Sequence, residues 1–282
     1  MLWLLCSVAL ATPTEDLLDQ MADGAHVVGL GESWHGMESF AEVRAEATRY
    51  LIEHHGFRVL AVETPYLLAR AADEWLREVD DMADLDVVMA LHGFFYAWQD
   101  VSTAELLLWA RDFNAEHPED PIRVVGFDIQ ERRVVSHLRS LFDDNPDALS
   151  ETSCQLRLSQ PPEVYRDCFR WFDEVESRLS DLDAASQDEA MVALDAGRVF
   201  ARYLVLRSED DWRAARALRD EAMADRLMES IDLGPGGDRV VVWAHNGHLQ
   251  ESAEGVHDRR GPLGLIRHPS DLRAGGHWKA AL

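Results

Sequence analysis

Four short apolar runs of the sequence are each followed by ionisable residues. The runs are HVVGLGESWHG at 26–36, RVLAVET at 58–64, RVVGFDIQ at 123–130 and RVVVWAHNGH at 239–248. If they are parallel strands of one sheet, those residues gather at its carboxyl edge, where open α/β sheets hold their active sites. The residues concerned are Glu32, His35, Glu63, Asp128, His245 and His248. The pattern predicts an enzyme.

The segment GESWHG at 31–36 combines a candidate base with a candidate partner for it. His35 lies near the predicted start of a helix, where the positive end of the helix dipole favours the neutral ring that can accept a proton. His35 is therefore the predicted general base, and Glu32 is the carboxylate that orients its ring. Trp34 is a candidate for substrate contact. The alternative is structural, with Ser33 and Glu32 only capping the helix.

Glu63 follows the apolar run VLAV, and a carboxylate at the mouth of a buried strand must be paired because burying it alone is costly. Two interpretations stay open, namely a catalytic role and a salt bridge to Arg44 or Arg58. Asp128 ends the third run and is expected to lie behind the residues that touch the substrate, or among them.

The segment His245-Asn246-Gly247-His248 supplies two imidazoles, an amide and accessible backbone. Such groups suit the polarisation of a carbonyl and the stabilisation of an oxyanion, with Asn246 as a candidate substrate contact. A divalent metal is the rival interpretation, because two histidines, two glutamates and one aspartate could bind one. HxxH after a strand is a weak signature, however, and the helical HExxH motif is absent, so no metal is predicted.

The composition restricts the partners of the chain. Its 282 residues contain 52 Asp and Glu against 27 Lys and Arg, which gives a formal net charge of -25. The resulting negative field repels phosphate backbones, so nucleic acid is not an expected partner. A neutral or cationic substrate should tolerate the field better than an anionic one. No apolar run is long enough to span a bilayer as a helix.

Residues 1–11, MLWLLCSVALA, are uniformly apolar and end in a small-x-small pattern that signal peptidase accepts, although no basic residue precedes them. A signal segment, and with it a periplasmic or secreted location, is favoured over a buried N-terminal element in a cytoplasmic protein. The three cysteines predict neither a zinc site nor a disulfide framework. A single bridge between Cys154 and Cys168 stays open if the chain is exported.

Apolar runs alternate with helical patterns, which predicts an α/β fold with a mostly parallel sheet flanked by helices. A helix that contains Phe40 and Leu51 should end at Gly56, and two more helices are predicted over 66–90 and 102–116. The aromatic segment between them, 94–98, is expected to belong to the core.

The stretch 131–232 shows helical patterns only and predicts an inserted helical region that forms one wall of a cleft. The α/β catalytic core then comprises 12–130 and 233–282.

Four stretches of the sequence resemble the erythromycin esterase family in their order and spacing. They are GLGESWHGMESFAEVRAEATRYLIEHHGFRVLAVET, VVGFDIQ, RDEAMADRLMESI and VVVWAHNGH, and the resemblance covers roughly residues 16–250. It implies an α/β sheet with an inserted helical bundle. It also implies hydrolysis of a macrolide lactone by a metal-independent histidine base, and therefore a role in antibiotic resistance.

Carried over residue by residue, the resemblance implies roles for His35 (base), Glu32 and Glu63 (active-site carboxylates), Arg44 (active-site arginine), His245 and His248 (second histidine pair) and Arg219 (substrate contact). Family members continue well past the WAHNxH strand, whereas 34 residues without a clear strand follow His248 here. The last strands of the family's sheet are therefore expected to be missing.

The predicted function is hydrolysis of a carboxylic ester or lactone without a cofactor. GxSxG, P-loop and GxGxxG motifs are absent, so direct activation of water by His35 is the simplest scheme. Glu32 would hold His35, and His245 or His248 with Arg44 would stabilise the oxyanion. Two alternatives stay open: a protein that binds a metal or small molecule at the same cluster, and an inactive truncated relative.

Overall fold

The structure is a computed structural model that describes residues 14–77, 96–142, 149–150, 152, 154–232, 236–249 and 277–281. The candidate signal segment 1–11 and the aromatic residues Phe94 and Phe95 lie outside the described residues, as does the part of the predicted helix 66–90 beyond residue 77.

The centre of the fold is a sheet of parallel strands, as the sequence predicts. Its strands are β1 (Ala25–Glu32), β2 (Val59–Pro65), β3 (Arg123–Asp128), β4 (Val240–His245) and β5 (His277–Ala281). They lie in the order β3-β2-β4-β1-β5, and every neighbouring pair is parallel. The valine-rich runs form strands because β-branched side chains suit a sheet that is covered on both faces.

The fifth strand corrects the prediction that no clear strand follows His248. Residues 277–281 pair in parallel with β1, from Ala25 opposite His277 to Leu30 opposite Ala281. The segment HWKAA is five residues long, and Trp278 is its one residue of high strand propensity, so the segment as a whole is a weak strand signal.

Nine α-helices occur in the described part of the chain. They are α1 (Thr14–Ala22), α2 (Glu38–His55), α3 (Tyr66–Arg77), α4 (Val101–Glu116), α5 (Val134–Ser140), α6 (Pro162–Ser177), α7 (Ala184–Ser208), α8 (Trp212–Ser230) and α9 (Asn246–Leu249). Gly56 ends α2 with a φ of 67°, a left-handed conformation that favours glycine, as the sequence predicts. None of the described helices is long and apolar enough to cross a membrane.

Successive strand residues face opposite sides of the sheet and so build two hydrophobic cores. Val240 and Val242 of β4 pack with α5 to α8 on one face. Val241 and Trp243 of the same strand pack with α1 to α4 on the other. The stretch 131–232, predicted to be helical, contains helices and no strand among its described residues and covers the first of these faces.

Cys154 and Cys168 form a disulfide that joins the segment before α6 to α6 itself. Both cysteines are buried in the core on the α5 to α8 side of the sheet. The bridge that the sequence left open is therefore present in the structure.

The strand register also positions the candidate site. In the pairing of β1 with β4, Glu32 lies directly opposite His245, each the last residue of its strand. Asp128 ends β3 in the same way, opposite Pro65 of β2. The carboxyl ends of four strands thus bring the predicted residues to one edge of the sheet.

Candidate active site

Glu32 joins a histidine at the surface to an arginine in the core. Its buried carboxylate accepts hydrogen bonds from Nδ1 of His35 through Oε1 and from Nη1 of Arg44 through Oε2. The His35 side chain is 32% exposed, so the ring borders solvent while its partner does not. The capping interpretation is wrong, because α2 begins only at Glu38 and the Glu32 carboxylate is bonded to these two side chains.

Arg44 lies beneath the site and contacts aromatic rings. Its Cζ is 4.5 Å from the ring centroid of Trp98 and 5.0 Å from that of Trp243. The side chain is only 3% exposed, so its charge is balanced by Glu32 and by the faces of the two rings. Arg44 therefore holds the Glu32 carboxylate from below.

A second network surrounds Glu63. Arg219 of α8 donates from Nη2 to Oε1 of Glu63 at 2.8 Å, and from Nε and Nη2 to the two oxygens of Asp128, each at 2.9 Å. The other Glu63 oxygen accepts from the backbone N–H of His245 at 2.8 Å. The expected partners, Arg44 and Arg58, are wrong: Arg44 bonds Glu32 and Arg58 bonds Asp120.

His248 completes this network from α9. Its Nδ1 lies 2.7 Å from Oδ1 of Asp220, and its Nε2 lies 3.4 Å from Oε1 of Glu63 and 3.1 Å from Nη1 of Arg219. Burial disfavours a charged ring, but the hydrogen bonds to Asp220 and Glu63 outweigh it and raise the pKa of His248 to about 9. Three carboxylates, Glu63, Asp128 and Asp220, thus enclose two cations.

Glu63 is ionised because of the same contacts. Burial alone would raise the pKa of this carboxyl, but hydrogen bonds from His248 and the charge of Arg219 keep it well below its usual range. The ionised carboxylate fixes the backbone of His245 and thereby links the second network to the first.

His245 faces His35 across the edge of the sheet, with the two ring centroids 5.1 Å apart. Its Nδ1 accepts a hydrogen bond from the backbone N–H of Gly247 at 3.0 Å, so the proton of the neutral ring lies on Nε2. Burial and the neighbouring His35 lower the pKa of His245. At neutral pH His245 is therefore an uncharged donor through Nε2, which lies 3.3 Å from the carbonyl oxygen of Ser33.

The pKa of His35 is shifted in the direction opposite to the one expected from the helix dipole. The hydrogen bond to Glu32 is the largest influence and raises the pKa of His35 above its ordinary 6.5, although partial burial opposes it. A charge-assisted hydrogen bond outweighs the dipole because His35 precedes the first residue of α2 by three positions, and the dipole acts mainly within the first turn.

The remaining predicted residues occupy two different positions. Asn246 begins α9, and its buried Oδ1 has no hydrogen-bond partner in the described part of the protein. That oxygen lies so close to Gly31 that a Cβ on Gly31 would be 2.0 Å from it, so the motif requires glycine there. Trp34 is 72% exposed beside His35.

The carboxylates of the site are held by arginines. Glu32 bonds Arg44, and Glu63 and Asp128 both bond Arg219. No group of three or more His, Cys, Asp or Glu arranged to hold a metal ion occurs among the residues that the structure describes.

A cleft of about 460 Å³ opens on the His248 side of the site, between α7 and α8. Two residues of the site were not singled out from the sequence: Asp220, which bonds His248, and Arg216, which lines the cleft. Both belong to α8, and Asp220 directly follows Arg219 in the RDEAM segment. That adjacency is the only signal in the sequence, since a helix does not reveal which residues it turns towards a sheet edge.

Fold and site together define a three-layered α/β protein with histidine–carboxylate chemistry at the carboxyl edge of its sheet. A family model described as "Erythromycin esterase" matches residues 52–266. The chain belongs to the erythromycin esterase family. Among curated proteins it is similar to erythromycin esterase type I of Escherichia coli, with 25% identity over 119 residues, which are 40% of this chain and 26% of that protein. The alignment thus spans about a quarter of that relative's length.

Solved structures share the fold. A Bacillus cereus protein superposes with a TM-score of 0.69 at 20% identity, over 96% of this chain and 69% of that one. A succinoglycan biosynthesis protein gives a TM-score of 0.63 at 19% identity, over 96% of this chain and 69% of that one. A mutant of the erythromycin esterase EreC in its open conformation gives a TM-score of 0.60 at 17% identity, over 94% of this chain and 71% of that one. The α/β architecture predicted from the sequence is confirmed.

Proposed function

We propose that this protein hydrolyses a carboxylic ester or lactone and that His35 activates the attacking water. The observation that carries the proposal is the Glu32–His35 pair, in which a buried, arginine-held carboxylate bonds a partly exposed imidazole at the carboxyl edge of the sheet. Family membership supports a hydrolase, and the geometry supports the histidine base.

The base step follows from the hydrogen bond at Nδ1. With that nitrogen donating to Glu32, the neutral ring of His35 carries its lone pair on Nε2, which can take a proton from water. Glu32 fixes this tautomer and stabilises the imidazolium that forms. Arg44 is 3% exposed, so we assign it to positioning Glu32 rather than to contact with the oxyanion.

The oxyanion step uses His245. Its ring is close to His35, is uncharged at neutral pH and has its proton on Nε2, where the carbonyl oxygen of Ser33 accepts it at 3.3 Å. In this proposal the substrate oxygen replaces Ser33 as the acceptor as negative charge develops on it. The network of Glu63, Arg219, Asp128 and His248 holds His245 through its backbone N–H. When the tetrahedral intermediate breaks down, the His35 imidazolium returns its proton to the leaving alkoxide.

Substrate contacts complete the proposal. Trp34 is exposed next to His35 and offers an aromatic surface, while Asn246 offers an amide beside His245.

A panel of macrolides and simple carboxylic esters tests the proposal, with purified protein assayed before and after metal removal by a chelator. We expect turnover of at least one ester or lactone that survives chelation. Turnover that stops on chelation and returns with added metal would instead establish a metal-dependent hydrolase. A cooperatively folded protein without any turnover would favour a binding protein or an inactive relative.

A further inference from the structure

The cleft beside His248 is unusually rich in arginine for so acidic a chain. Its lining includes Arg207, Arg213, Arg216 and Arg219, together with Trp212 and His248. The whole protein carries a net charge of -25, whereas the described lining of this cleft contains four arginines and no carboxylate.

Arg219 differs from the other three arginines in its partners. It is neutralised by Glu63 and Asp128, whereas no ion pair with a carboxylate involves Arg207, Arg213 or Arg216 among the described residues. Other arginines of the same helical layer do have acidic partners, as Arg198 does with Asp173. Among the described residues, no carboxylate therefore forms an ion pair that cancels the charge of these three arginines.

Arg207 is held in a fixed position within the cleft. Its Cζ lies 3.5 Å from the ring centroid of Trp212, and its Nη1 donates to the Tyr203 hydroxyl at 2.7 Å. Its Nε is buried without a hydrogen-bond partner in the part of the chain that the structure describes. A guanidinium stacked and anchored in this way loses little further freedom on binding an anion.

Arg216 connects the cleft to the proposed catalytic residues. A Cβ built on Gly247 would lie 3.3 Å from Nη2 of Arg216 and 3.1 Å from Nδ1 of His245. The Arg216 guanidinium therefore lies against the backbone between His245 and His248. One substrate molecule can therefore contact both Arg216 and His245.

We propose that this cleft binds an anionic group of the substrate, so that the ester or lactone carries a carboxylate or a similar oxyanion. The statement that the substrate is an ester or lactone rests on the proposed function. The statement that it carries an anionic group rests on the arginines and on the volume of the cleft. Planar guanidinium groups bind such oxyanions through paired, charge-assisted hydrogen bonds. The proposal differs from the expectation, drawn from the net charge alone, that a neutral or cationic substrate is better tolerated.

Three matched substrates test the anion preference. They are 4-nitrophenyl esters of a six-carbon acid whose far end is a carboxylate, a primary amide or a protonated amine. The carboxylate and the amide have nearly the same shape, so kcat/KM compares charge alone. We expect the carboxylate ester to exceed the amide by about tenfold and the amine by more.

Variants assign that preference to the cleft. Arg216→Gln and the exposed Arg213→Gln should each reduce the carboxylate-to-amide ratio by about threefold to tenfold, and Arg216→Lys should retain part of it. Arg170→Gln is the matched control, because Arg170 is an exposed arginine of α6 that pairs with Asp167 outside the cleft. The carboxylate-to-amide ratio of Arg170→Gln should equal that of the unmodified protein.

Calorimetric titration with adipate and, as a neutral control, adipamide separates the two proposals. Adipate binding that Arg213→Gln and Arg216→Gln weaken, without hydrolysis of any ester, would support the anion site and reject the hydrolase. Equal kcat/KM for the carboxylate and amide esters would overturn the anion site and leave the hydrolase standing. A preference unchanged in both glutamine variants would also overturn the assignment to this cleft.

Discussion

Glu32 and His35 show how much the sequence predicts at the scale of single residues. Their proximity follows from three-residue spacing after a strand, and the structure joins them by a hydrogen bond. The direction of the His35 pKa was not predictable in the same way. The direction of the pKa shift depends on the hydrogen bond from His35 to the buried Glu32 carboxylate, which outweighs a dipole effect typically below about 1 kcal/mol.

Glu32→Gln should shift the pH dependence of hydrolysis. A base acts when deprotonated, so kcat/KM of the unmodified protein should rise with pH through a pKa above 6.5. The substitution removes the largest cause of the raised pKa, so the rise should move to lower pH. The maximal rate should fall roughly 10- to 10³-fold because the imidazolium loses its carboxylate partner. A pH–rate profile measures both effects.

Glu38→Gln is the control for this experiment. Glu38 is an exposed carboxylate at the start of α2, three residues after His35, and its loss should leave the profile unchanged. If the rise of kcat/KM with pH occurs at the same pH in Glu32→Gln as in the unmodified protein, its assignment to the titration of His35 would be contradicted.

Asp220→Asn should change how the stability depends on pH. The pKa of His248 is raised to about 9 in the folded chain, from 6.5 for an ordinary histidine. The stabilisation is therefore fully present below about pH 6.5 and is lost as the pH rises through about 9. It amounts to about 3 kcal/mol at most. Asparagine lacks the negative charge that stabilises the imidazolium. The decrease in the free energy of unfolding between these pH values should therefore be smaller in Asp220→Asn.

Urea unfolding at pH 6.5 and at pH 9.5 measures this difference, with Asp225→Asn as an exposed control on the same helix. Equal pH dependence in Asp220→Asn and the unmodified chain would show that the Asp220 carboxylate does not sustain the charge of His248. Asp220 itself was not predictable, because 28 residues separate it from its partner.

At the scale of elements, the sequence predicts those strands whose composition is unambiguous. VLAVETP of β2 is buried along its whole length, as expected for a central parallel strand. Helix α2 likewise follows from its periodic apolar residues and from Gly56. Strand β5 could not be predicted, since its pairing with β1 comes from tertiary structure rather than from its own composition.

The Cys154–Cys168 disulfide should contribute measurably to stability. It closes a loop with a sequence separation of 14, for which chain-entropy arguments give about 3 kcal/mol. We expect Cys168→Ser to lower the free energy of unfolding by about 2 to 4 kcal/mol under oxidising conditions and to cost much less in a reductant. A thiol assay on the unfolded full chain should find one free thiol among its three cysteines. Three free thiols would contradict the bridge.

At the scale of the whole molecule, the net charge does not predict the charge of an individual site. The net charge of -25 is a sum over 282 residues, so it cannot show that α7 and α8 place four arginines around one cleft. Only the fold brings Arg207 and Arg216 together, because they belong to different helices. Substrate class is therefore the property that the sequence predicts least well.

The net charge itself predicts a response to salt. Repulsion among 52 acidic residues opposes the compact state, and salt screens it. The melting temperature should rise by several degrees, about 3 to 8 °C, as NaCl increases from 10 mM to 500 mM. A melting temperature that stays constant or falls over this range would show that local ion pairs outweigh the overall repulsion.

The central claim is that His35 is the base of a hydrolytic site, and one comparison tests it most directly. The measurement is kcat/KM of His35→Ala against that of the unmodified protein, with a chelator present and with the best ester of the panel. His54→Ala serves as the control, because His54 is an exposed histidine in the last turn of α2. We predict a loss on the order of 10² to 10⁴ for His35→Ala and none for His54→Ala. A His35→Ala protein that folds normally and retains a rate within about threefold of the original would contradict the account.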